Sequence, residues 1–173
     1  MMETKKREEL IEAFLPSPGE EIRPVCRELT AYLAGLGCYP RKEKSGVSFK
    51  RDPRNKQMAK TGFGRGKTPA PFFALRFSAC RGYSHRFADI VNAAIAKYPA
   101  RVARCTAGGC DFCAGDPETH VYIGTSPDGE TKHLCGANAL AIHNLSADDI
   151  EEIKRLIAEE NAYLLKYQAG ITA

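Results

Sequence analysis

Four of the seven cysteines lie between positions 105 and 135, spaced Cys105-x4-Cys110-x2-Cys113-x21-Cys135. This cluster constrains the fold more than any other feature of the chain. Only Asp111 and Phe112 separate the central pair, so one turn directs both sulfurs at a single point. A zinc ion takes four ligands tetrahedrally and favours thiolates where its role is structural. Cys105 lies just upstream and Cys135 far downstream, so a Zn2+ ion held by all four clamps two segments of chain together. With four sulfurs the coordination shell is closed, which points to a structural rather than a catalytic metal. An odd number of cysteines argues against a disulfide framework. The stretch Met1–Glu9 lacks the apolar core of a secretory signal, and a cytoplasmic location, where thiols stay reduced, is the expectation.

The remaining sequence must supply a frame for that clamp. At 173 residues, 43% hydrophobic and 27% charged, the chain fits one ordinary globular domain and not a disordered one. No apolar run reaches the roughly 18 residues of a membrane span. Three segments make up this domain, 1–173: a helical segment over 1–40, a β-β-α segment with a basic loop over 41–104, and the metal loop, hairpin and final helix over 105–173. Leu10, Ile11, Phe14 and Leu15 give a helix over 4–15; Leu29, Tyr32, Leu33 and Leu36 give a second over 24–36. Alternation at Val47 and Phe49, then at Phe73, Leu75 and Phe77, predicts two strands joined by a long polar loop from Arg51 to Pro71. Ser84 caps a helix over 85–98 with Phe87, Ile90, Val91, Ala94 and Ile95 on one side. Residues 119–123 and 130–135 form a hairpin around Ser126-Pro127-Asp128-Gly129. Ser146, with Asp149 three positions on, opens a long last helix. The expected fold is α+β, a small antiparallel or mixed sheet of about four strands packed on helices.

The loop Cys105-Thr106-Ala107-Gly108-Gly109-Cys110-Asp111-Phe112-Cys113-Ala114-Gly115 also resembles the cluster loop of plant-type 2Fe–2S ferredoxins, which share the C-x4-C-x2-C spacing and a distant fourth cysteine. The resemblance covers some 11 residues. It implies Cys105, Cys110, Cys113 and Cys135 as iron ligands and an electron-transfer role. Zinc is the preferred metal, because bulky Phe112 stands where the ferredoxin loop keeps small residues. A redox dithiol at Cys110 and Cys113 fits less well, since that motif opens a helix after a strand. His120 and His133 lie on the hairpin and could replace a cysteine ligand, but with four sulfurs filling the site they are expected as surface residues or as groups beside the ligands; Cys26, Cys38 and Cys80 are expected in the core.

Charge is the second constraint. The net +4 conceals balances of +8 over residues 41–67, +5 over 68–110 and −7 over 111–173. Such asymmetry points to an anionic partner, nucleic acid or an acidic protein. Lys50, Arg51, Arg54, Lys56, Lys60, Arg65 and Lys67 are the candidate anion-binding cations, with Phe63 or Tyr39 able to stack on a base. Gly62–Thr68 ends like a phosphate-binding P-loop but has Thr61 where the first glycine is required, and Pro69 and Pro71 lead into a strand rather than a helix. There is no HExxH, no G-x-S-x-G and no paired-carboxylate motif. The expectation is therefore a small cytoplasmic zinc protein acting as a binding module, with an iron–sulfur carrier and an enzyme of undetermined class as alternatives.

Overall fold

The computed structural model describes residues 2–15, 21–51, 56–64, 67, 70–98 and 120–169. Helices α1 (Met2–Glu12) and α2 (Ile22–Gly35) are followed by strands β1 (Tyr39–Glu43), β2 (Gly46–Arg51), β3 (Lys56–Phe63) and β4 (Pro71–Leu75). Helix α3 (His85–Lys97) comes next, then β5 (Val121–Thr125), β6 (Thr131–Cys135), β7 (Leu140–Ile142) and α4 (Ile150–Ala169). The strands form a five-stranded antiparallel sheet in the order β1-β2-β3-β4-β7 and a separate two-stranded sheet, β5-β6. The fold is α+β. No helix among the described residues is long and apolar enough to cross a membrane.

Three strands depart from the sequence expectation, and each has a physical reason. The segment expected as a polar loop over 51–71 contains β3. Its alternation is blurred by small residues and by a register shift at Phe49/Lys50, which leaves Met58 without a partner across from β2. β1 is an edge strand of sequence Tyr-Pro-Arg-Lys-Glu, whose proline and charges guard against edge-to-edge pairing and so hide its strand character. β7 has only three residues and exists because β4 offers it a pairing edge. The long sheet thus has five strands, all antiparallel, and the hairpin forms its own sheet.

One face of the long sheet carries Val47, Phe49, Ala59, Phe73 and Leu75, all fully buried. Leu29 and Leu33 of α2 and Ile153, Leu156 and Ile157 of α4 belong to the same core. Gly46 and Gly62 face each other across β2 and β3, where a Cβ on either would come within 2.2 Å of a backbone oxygen. α4 starts as expected: Ser146 and Asp149 form a capping box on a 3-10 turn, Ala147–Asp149. Arg86 of α3 binds the same carboxylate, with Nε 2.9 Å from Asp149 Oδ1.

α4 is locked to the segment just after β4 by an ion pair 84 residues apart in sequence. Arg76 Nε donates to Glu160 Oε1 at 2.6 Å, Ser78 Oγ donates to the same oxygen at 3.3 Å, and the Ala79 N–H donates to Oε2 at 2.8 Å. The Arg76 and Glu160 side chains are 4% and 0% exposed, so neither charge has water as an alternative partner. Removing one partner of such a pair strands the other in a low-dielectric site. Glu160→Gln is predicted to cost about 3–5 kcal/mol in urea unfolding. The double variant Arg76→Met/Glu160→Met should recover most of that loss. The Ser78 hydroxyl and Ala79 N–H then lack an acceptor, so a deficit of about 1–3 kcal/mol remains.

Candidate metal centre and basic sheet face

Of the four proposed ligands, Cys135 is described; Cys105, Cys110 and Cys113 lie outside the described residues. Cys135 ends β6 directly opposite Val121, the first residue of β5, and its thiol is reduced and partly exposed. The chain from Cys113 reaches His120 in seven residues, so the loop cysteines are tethered to the end of β5 that faces Cys135. Gly136 fixes the bend after Cys135: a Cβ there would lie 1.7 Å from the His120 carbonyl oxygen and 2.5 Å from Ser78 Oγ. Only glycine lets the two backbones pass.

His120 is not a surface residue. It is 2% exposed, and its ring stacks on Tyr163 of α4 at 6.2 Å between centroids. His133, on β6, is half-buried. Nearby, Tyr122 Oη accepts from the Phe77 N–H at 3.1 Å and donates to the Asn138 carbonyl at 2.8 Å, tying the hairpin to the exit of β4. Burial holds the Tyr122 phenol far above its usual range, so it stays a neutral hydrogen-bonding group. Among the described residues no group of three or more histidine, cysteine or carboxylate side chains could hold a metal.

Cys26, Cys38 and Cys80 are buried core thiols, as expected. Cys80 Sγ donates to the Leu156 carbonyl at 3.3 Å, and burial together with the Glu160 charge pushes its thiol well up. Burial also raises Cys38, partly offset by the Arg51 charge. Neither is a reactive thiolate.

The candidate anion-binding cations separate into groups. Arg54 and Arg65 lie outside the described residues, and Lys67 is exposed. Arg51 donates to the Leu36 carbonyl at the C-terminus of α2, where a cation also complements the helix dipole. Lys56 pairs in register with Arg51 where β2 and β3 meet. Lys50 and Lys60 point the other way. Directly paired residues share a face of the sheet, so the register places Tyr39, Arg41, Ser48, Lys50, Gln57 and Lys60 on the face opposite the core. Phe72 and Ala74 of β4 and Ala141 of β7 continue it. Arg41 is exposed, while Tyr39, Lys50, Lys60 and Phe72 are half-buried. Two cations sit over rings: Arg41 on Tyr39 at 5.4 Å and Lys60 on Phe72 at 6.0 Å.

Arg41 was not among the sequence candidates, because its membership of this face depends on β1, a strand without apolar alternation. At the β4–β7 side the face runs into a groove of about 490 Å³ beneath α3. Gln57, Lys60 and Phe72 belong to both. The groove floor is small and apolar (Ala74, Ala141), its far wall is Ala93, Ala94 and Tyr98, and Lys97 and Asp89 stand on α3 beside it. No protein-family model, no curated protein and no solved structure matches the chain.

In the folded protein Cys38 and Cys80 should resist iodoacetamide at mildly alkaline pH and react fully in denaturant. Peptide mapping by mass spectrometry after brief labelling measures this. Rapid native-state labelling of Cys80 would contradict its placement against Leu156.

Proposed function

We propose that the protein is a zinc-stabilised binding module for an anionic partner. Its metal would be held by Cys105, Cys110, Cys113 and Cys135, and its partner by the basic sheet face. The observation that carries this reading is the strand register, which gathers Arg41, Lys50 and Lys60 on one side of a sheet whose other side is core. Three cations of the basic middle sequence therefore share one face of the sheet. Zinc is supported by the four-cysteine spacing and by the position of Cys135 at the strand end nearest in chain to the other three. A closed thiolate site supplies folding energy and no catalytic vacancy.

Two results test the metal. Purified protein should be colourless and contain one zinc per chain; visible absorbance with bound iron would favour the ferredoxin-like alternative instead. On acid-free chelation, four thiols per zinc should become titratable, and the hairpin with α4 should lose cooperative melting. Cys110→Ser should abolish stoichiometric zinc. Unchanged melting after verified metal removal would reject a structural role.

A further inference from the structure

The centre of the basic face contains an unsatisfied group. Ser48 lies directly between Arg41 on β1 and Lys60 on β3, and all three share a face. Ser48 is 0% exposed, and its hydroxyl has no hydrogen-bond partner among the described residues. Leaving a buried hydroxyl unpaired is costly, and native structures usually meet such a group with an ordered water, an ion or a ligand. Because Ser48 is fully buried, an oxyanion reaches that hydroxyl only when the side chains over it move aside; seated between Arg41 and Lys60, it would accept the hydrogen bond and neutralise both cations at once. Among the described residues, Glu43 is the carboxylate on the sheet face, where it holds Lys60 only at 3.9 Å in a partly exposed pair, and Asp89 of α3 lines the adjoining groove.

The rest of the face narrows the class of oxyanion. An acidic peptide needs cations alone. Here the seat is flanked by Tyr39 on β1 and Phe72 on β4, each already beneath a cation, and Phe72 leads into the alanine-floored groove. β1 and β4 are three strand spacings apart, about 14 Å. Alternating phosphate seats and ring faces over that distance match a single strand, whose unpaired bases stack on side-chain rings while the backbone follows the cations. A duplex keeps its base faces to itself. The groove volume lies within the roughly 300–1,000 Å³ of small-molecule sites, enough to admit one extruded base beside Gln57 and Tyr98.

We propose that Arg41, Ser48 and Lys60 form a phosphate seat, and that with Tyr39, Phe72 and the α3 groove they bind single-stranded nucleic acid. This rests on the anionic-partner function proposed above and names its partner.

The test is fluorescence anisotropy of the full chain with mixed-sequence single-stranded RNA and DNA, the corresponding duplexes, and heparin. Single strands should bind more tightly than duplex, with affinity falling steeply as salt rises. Ser48→Ala removes an unpaired hydroxyl and should leave thermal melting unchanged or raised, yet weaken single-strand binding about 10- to 150-fold. A purely structural serine would not separate these two readouts. Tyr39→Ala should weaken binding about 5- to 150-fold, and Arg41→Ala should lower the salt slope by about one. Ala93→Phe, on an exposed groove position, should reduce affinity without touching a cation. Equal binding of heparin, duplex and single strand, unaffected by Ser48→Ala and Tyr39→Ala, would overturn the single-strand assignment and leave anion binding standing. Binding of no polyanion at all would overturn both.

Discussion

The buried pair of Arg76 and Glu160 is the constraint around which the other elements are arranged. A carboxylate that is 0% exposed in the middle of α4 can be tolerated only if donors surround it, and the segment just after β4 supplies three. Ser78, one of those donors, is also the side chain against which Gly136 closes. The ion pair therefore reaches, through one hydroxyl, to the backbone bend immediately after Cys135. His120 on Tyr163 and Tyr122 bridging Phe77 to Asn138 tie the same corner from two further directions. This end of the hairpin is held by α4 and by the segment after β4, an arrangement that would suit Cys135 to the ligand role proposed for it.

The two sides of the long sheet divide the work. On one side Val47, Phe49, Phe73 and Leu75 join α2 and α4 in the core, and hydrophobic burial there fixes the register. Because the side-chain period is two, the same register decides which cations share the other side. Arg51 is turned to the end of α2, whereas Lys50, its neighbour in sequence, stands with Arg41 and Lys60. Core packing thus determines the composition of the basic surface.

Much of this was legible from sequence where periodicity was strong. α2, α3 and the capping box at Ser146 and Asp149 emerge from apolar spacing and end signals, and the β5–β6 hairpin from its turn chemistry. Legibility failed where strands are made by pairing rather than by pattern. β1 is nearly all polar, β3 carries a bulge and small residues, and β7 is three residues long. The functional consequence followed directly: without β1 and β3 in place, Arg41, Ser48 and Lys60 are scattered over 20 positions of sequence, and nothing marks them as neighbours. The proposed metal ligands are the converse case. Their spacing speaks in sequence, and the fold adds the location of Cys135 at the end of β6 and the glycine bend that holds it.

Four thiolates from the loop and the hairpin are proposed to hold one zinc ion. X-ray absorption at the zinc edge of the purified protein tests this most directly. A zinc ion held by four thiolates gives a shell of four sulfur atoms at about 2.3 Å and no shorter nitrogen or oxygen contribution. A mixed nitrogen and sulfur shell, or a sample whose metal is iron, would contradict it.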